Sequence, residues 1–263
     1  MTEIWRGTWV VAYRELLRFV NERSRLFSSF FQPILFLVIF GAGFGNVIGA
    51  LAPGVDFVQF MYPGIIAMGV LTSSLFAGVS VVWDREFGFL REVLVAPLAR
   101  TGIVLGKAVG AAAVALLQVV LLLAISPIVG VSLDLGIIIR LIPVVVILSV
   151  ALSGLGILIA SFMRSQQGFQ LLIQVLIFPL IFLAGVFFPI DQAPEWLQVL
   201  SKLNPMTYGV DAIRQIMLGP AASSGLGVEV FGQVMSVGQE VVIVGLLGAV
   251  LLSGAVWGFR RQE

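Results

Sequence analysis

Polar residues are scarce along most of this chain, and where they gather they mark the ends of long apolar runs. Six runs, at 26–48, 57–82, 103–129, 137–162, 168–188 and 241–257, are each long enough to cross a hydrocarbon core as a helix, which takes roughly 17 to 25 residues. The pattern predicts an all-α polytopic membrane protein, with residues 1–263 forming one transmembrane domain of six spans.

Three further segments have helical periodicity but are not spans. In residues 2–24, Trp5, Trp9, Ala12, Tyr13, Leu16 and Val20 fall on one side, and Glu3, Arg14, Arg18, Asn21 and Arg25 on the other. Such a helix is expected in the membrane interface, its rings at headgroup depth. Residues 84–96 form a charged island, preceded by Trp83, that is expected to be a short surface helix. Trp83, Phe87, Leu90 and Leu94 share one stripe, and Arg85, Gly88 and Glu92 lie opposite. Asp84 and Glu86 in its first turn and Arg91 near its last suit the helix dipole, and Pro97 stops it. Residues 189–220 read as two short helices in tandem, a re-entrant or interfacial hairpin. Trp196, Leu200 and Leu203 make the first apolar stripe. Asn204 caps the second helix, Pro205 opens it, and Gly219-Pro220 ends it. Met206, Val210, Ile213 and Met217 line one face of it, with Asp211 and Arg214 expected to point away.

Small residues stand at four-residue spacing in several spans, notably Gly102, Gly106 and Gly110, and Ser149, Ser153, Gly154 and Gly156 form a comparable face. These let helices approach closely. The lone amide Gln118 is a candidate either for a bond to a neighbouring helix or for lining a pathway, and Gln174, one turn from Gln170, is a candidate for lining it.

Lysine and arginine set the expected orientation. Only Arg140, Lys202 and Arg214, of 15 basic residues, fall on one side of a six-span layout. The positive-inside bias therefore predicts both termini and the charged island inside, and the hairpin outside, of a multi-pass protein in the cytoplasmic (inner) membrane.

Composition narrows the chemistry. The chain is 59% hydrophobic and has no cysteine and no histidine, so thiolate and imidazole catalysis and the usual zinc ligands are unavailable. No catalytic residue, metal site or cofactor site is expected within it, and a net charge of +1 gives no ground for a nucleic-acid partner. The first 25 residues do not have the form of a cleavable signal peptide. The nearest approach to a phosphate loop is Gly102 to Ala108, with three residues between its glycines where such a loop has four, and with Ala108 in place of the hydroxyl. Acidic residues fall at span borders and no acid pair is expected in mid-membrane, which argues against ion-coupled transport. A transporter without its own coupling group needs energy from a partner.

Two blocks carry a family resemblance. Glu86-Phe87-Gly88-Phe89-Leu90-Arg91-Glu92 through Pro97 and Arg100 resembles the cytoplasmic signature between spans 2 and 3 of type-2 ABC exporter permeases. These are the membrane subunits of bacterial drug, lipid-linked polysaccharide and lipo-oligosaccharide export. Phe188-Pro189, Pro194, Trp196-Leu197, Leu200 and Asn204-Pro205-Met206-Thr207-Tyr208 through Asp211 and Arg214 resemble the stretch after span 5. The resemblance implies that the island is a coupling helix seated on a separate ATPase subunit, which holds ATP and Mg. It makes Glu86, Phe87, Gly88, Leu90, Arg91 and Glu92 the docking residues. It implies that the hairpin, with Trp196, Asn204, Pro205, Tyr208, Asp211 and Arg214, closes the outer end of the path. It further implies that two permease copies, a homodimer in the simplest case, enclose that path within the lipid bilayer.

With only three tyrosines and few inner charges, the expected cargo is a hydrophobic drug or a lipid rather than an undecaprenyl-linked polysaccharide. The competing readings are a self-contained channel or carrier and, on Asp84, Glu86 or Glu92, an intramembrane enzyme.

Overall fold

The computed structural model describes residues 2–48, 57–86, 100–131, 134–188, 190, 193–219, 229–230 and 233–260. Helix α1 (Thr2–Asn21) runs almost directly into α2 (Arg23–Ile48), with the Leu26 N–H donating to the Glu22 carbonyl across the join. The second apolar run is bent: α3 (Phe57–Leu75) gives way at Phe76 to α4 (Ala77–Glu86). At that bend the Thr72 and Ser73 hydroxyls donate to carbonyls one turn back, a pattern that bends helices. The bend also brings Gly78 against the backbone of Gly156, where a Cβ would collide with the carbonyl oxygen.

Helix α5 (Arg100–Leu123) is shorter at its far end than the apolar run. Residues 124–130 continue as turns, because Pro127 has no N–H to extend the ladder and Gly130 takes a left-handed φ of 77°. Then come α6 (Leu135–Phe162) and α7 (Gln166–Leu183), the latter capped by the Ser165 hydroxyl and followed by Gly185 at φ 68°. Two short helices, α8 (Glu195–Leu203) and α9 (Pro205–Leu218), precede α10 (Val237–Arg260). A two-residue antiparallel pairing, β1 (Glu229–Val230) with β2 (Gln233–Val234), is the one departure from helix-and-turn structure among the described residues.

Among the described residues, counting α3 and α4 as one, six helices are long and apolar enough to cross a membrane. The chain is a multi-pass membrane protein, helical in all its spans. Helix α3 is central: Met61, Ile65, Ile66, Ala67, Val70 and Leu71 are buried, as expected of a helix apolar all round. Helices α5, α6, α9 and α2 pack around it, and α10 lies along α6. Helices α2, α7 and α10 leave much apolar surface outward, including Phe31, Val175 and Leu246. In a bilayer this surface meets lipid or another apolar helix.

Helix α1 runs alongside α5 in the same direction, Thr8 at Gly102, Val11 at Gly106, and Ala12 and Glu15 at Gly110. The glycine spacing of α5 thus has α1 as its partner. Trp5, Trp9 and Tyr13 stay exposed as the periodicity predicts, but Ala12 turns inward with Val11 and Phe19 to form a second apolar face.

Candidate functional site

One end of the bundle gathers α1, the end of α4, the start of α5 and the α6–α7 turn. Its centre is Lys107, 1% exposed on α5. The ammonium has three donors. Asp84 Oδ2 lies 2.8 Å away, Ser80 Oγ 2.7 Å, and Glu15 Oε1 3.5 Å. The half-exposed Arg14 adds a guanidinium 3.3 Å from the same Asp84 oxygen. Four charges of alternating sign thus tie three helices together. Charge removed from water in this way holds only while every partner is in place.

Asp84, Arg85 and Glu86 therefore close α4 rather than open a new helix, a correction to the island's expected start. Each is held by another element. Besides the Asp84–Lys107 pair, Arg85 donates to the Met163 carbonyl and Glu86 Oε2 accepts from the Gln166 backbone N–H at 2.9 Å. Trp83, half-buried, carries the Arg18 guanidinium 4.0 Å from its ring centroid, a cation–π contact. Of the predicted docking residues, Glu86 is described and exposed. Phe87, Gly88, Leu90, Arg91 and Glu92, with the rest of the island to residue 96, lie outside the described residues.

Beside this cluster is a cavity of about 500 Å³ between α1, α2, the α3–α4 bend, α5 and the start of α7. Gln118 forms part of its wall. The Gln118 amide nitrogen donates to the Ser29 carbonyl on α2 at 2.9 Å, and its Oε1 is buried with no partner. Gln174 is elsewhere, exposed on the outward face of α7.

The other end is built on α9. Asn204 accepts from the Met206 N–H and donates to the Leu180 carbonyl at 2.8 Å; Thr207 donates to the Leu183 carbonyl. Pro205 stands at the first helical position. The Tyr208 hydroxyl donates to the Lys202 carbonyl at 2.7 Å, and burial, then the nearby Glu240 carboxyl, push it above the usual phenol range. Trp196 is exposed on α8. The expectation that Asp211 and Arg214 point away from the packed face is overturned, for they are 1% and 3% exposed. Arg214 donates to the Gly185 carbonyl at 2.7 Å and lies over the Phe60 ring at 4.2 Å. Asp211 shares the Gln215 amide with Glu240 of α10, at 3.1 and 3.4 Å. The polar stripe of α9 faces α7 and α10, not water.

Asp211 also meets Glu240, which stands in the first turn of α10 at the border of that span. That pair and the Lys107 cluster were missed because their members stand 29 and up to 93 residues apart. The available signal was a charged residue inside an apolar helix, which must find a partner.

Residues 6–218 match the family described as ABC-2 type transporter. Among curated proteins, a Cyanophora paradoxa protein bearing the transport-permease name ycf38 is 31% identical, over 78% of this chain and 72% of that protein. Nodulation protein J of Rhizobium leguminosarum bv. trifolii is 27% identical, over 82% of this chain and 80% of that one. An Escherichia coli K12 protein named as a multidrug ABC transporter permease, YbhR, is 36% identical, over 65% of this chain and 46% of its own length.

Proposed function

This chain belongs to the ABC-2 type transporter family, and on that premise we propose that it is the membrane-spanning subunit of an ATP-powered exporter. The cargo is a hydrophobic drug, a lipid or a glycolipid, moved outward across the cytoplasmic membrane. The relative named as a multidrug ABC transporter permease supports a transport role for a hydrophobic cargo. A separate subunit hydrolyses ATP with Mg, and a second copy of this chain completes the path.

In this reading both termini and the island face the cytosol, and α8–α9 close the outer end as a re-entrant hairpin. The island is the coupling helix, docking through Glu86, Phe87, Gly88, Leu90, Arg91 and Glu92. The observation that carries the reading is the bracing of α4, which runs directly into the island. Asp84 is tied to α5 and α1, and Arg85 and Glu86 to the α6–α7 turn. A push on the island would move these elements together, as a lever must to pass domain closure into the membrane. Glu86 has a structural bond of its own, so Gly88 gives the cleaner test. Gly88→Trp should leave insertion intact and abolish ATP-dependent export from inverted vesicles containing the co-expressed ATPase; undiminished export would remove the docking role.

The buried Asp211–Glu240 pair favours one other reading, a carrier that moves its cargo on an ion gradient. It predicts transport by this chain without nucleotide.

A further inference from the structure

We propose that the contact between Arg18 and Trp83 is a latch through which the contents of the cavity beside Gln118 set the freedom of the island. The proposal rests on the lever reading for its consequence, and on the packing of α4 for the latch itself. Helix α4 stands between the cavity and the Lys107 cluster, and its two faces divide between them. Val79 and Trp83, one turn apart, line the cavity together with Phe76 at the bend. Ser80 and Asp84, on the adjoining stripe, bond to Lys107. A group seated in the cavity therefore rests against the helix that runs into the island.

Helix α1 holds the end of α4 at two adjacent residues. Arg14 binds Asp84 at 3.3 Å, and one turn later the Arg18 guanidinium lies 4.0 Å from the Trp83 ring centroid. The two ties differ in what can reach them. Asp84 is turned to Lys107, which is 1% exposed. Arg18 and Trp83 stand in the cavity wall, both partly exposed. Arg18 also lines a void of about 40 Å³ beside Lys107, so its side chain has room to leave the ring. A group entering the cavity can take the ring face or the guanidinium for itself, and that tie then opens while Asp84 stays fixed. Gln166, in the same wall, donates its backbone N–H to Glu86, so the cavity meets the root of the island on a second side. With Arg18 released, the end of α4 keeps its other bonds, loses one tether, and moves more easily. Such coupling is reciprocal: movement of the island alters the wall in turn.

The chain has no cysteine, so one introduced thiol lets the cavity be filled by a known group. Gln170→Cys puts that thiol in the wall, at an exposed site on α7. Gln167→Cys, exposed at the start of α7 and outside the wall, is the control. Each full chain is labelled with N-phenylmaleimide and then combined with the ATPase in lipid nanodiscs, and hydrolysis is measured with ATP and Mg. Labelling at 170 should raise hydrolysis about threefold, the size of one half-exposed cation–π contact, and labelling at 167 should not. Arg18→Gln and Trp83→Leu, each added to the Gln170→Cys chain, should show the raised rate before labelling and no further rise after it, because the latch is already open. Arg18→Lys and Trp83→Phe keep a cation over a ring and should keep the response, which a mere loss of packing would not spare. Three results would overturn the proposal: no response to labelling at 170, an equal response at 167, or a response that survives Arg18→Gln. Gly88→Trp in the labelled complex separates the two readings. A response that persists there and still depends on Arg18 would remove the island as its route and leave the latch in place.

Discussion

Two buried charge clusters among the described residues are built to different designs. Around Lys107, two cations and two anions from α1, α4 and α5 alternate, and the ammonium has three acceptors. Around Arg214, two acids from α9 and α10 share one amide, and the guanidinium is turned to a carbonyl and a ring. The first cluster is a fastening: removing one member leaves its partners facing an apolar interior with uncompensated charge. At the second, Asn204, Thr207 and Tyr208 bond to the flanking carbonyls beside the acids and Arg214, so the charges share the fastening with neutral bonds. Bonds to other elements gather at the end of α4, the place at which the proposed lever would receive work. The α9 end is closely packed, and there neutral bonds to carbonyls stand beside the charges.

The largest expected effect tests the fastening. Lys107→Met keeps a long apolar stem and leaves Asp84 and Glu15 with the half-exposed Arg14, so it should destabilise the chain by about 3 kcal/mol. Thermal and denaturant unfolding in detergent would read this, and a loss below about 1 kcal/mol would erase the contrast between the two ends. Glu240→Gln is the milder counterpart. The amide still accepts from Gln215 and can donate to Asp211, so stability should change by less than about 1 kcal/mol. If it cost as much as Lys107→Met, the α9 end would be fastened chiefly by charge.

How much of this was legible beforehand follows from the range of each signal. The spans were readable because length and apolarity are local properties, and Gly185, Pro127 and the α3–α4 bend only trimmed or bent them. The α5 glycines announced a close approach, though not that α1 would make it, because small residues name no partner. Gln118 stood out as an amide in an apolar helix, and its cavity needed four other elements to enclose it. Asp211 and Arg214 misled for a physical reason. On an amphipathic helix the polar stripe faces whatever is polar, which for α9 is the Gly185 carbonyl and the Glu240 carboxyl rather than water. Lys107 looked like one more inner cation until the fold brought Glu15 and Asp84 to it.

The central claim, that this chain forms a passage and receives its power from a separate subunit, is tested most directly by flux into vesicles. The chain is reconstituted alone and with its co-expressed ATPase, and uptake of an octyl-chain amphiphile into inverted vesicles is followed with and without ATP and Mg. The account predicts uptake only when ATPase, ATP and Mg are all present. Gradient-driven uptake, or nucleotide hydrolysis, by the purified chain alone would contradict it.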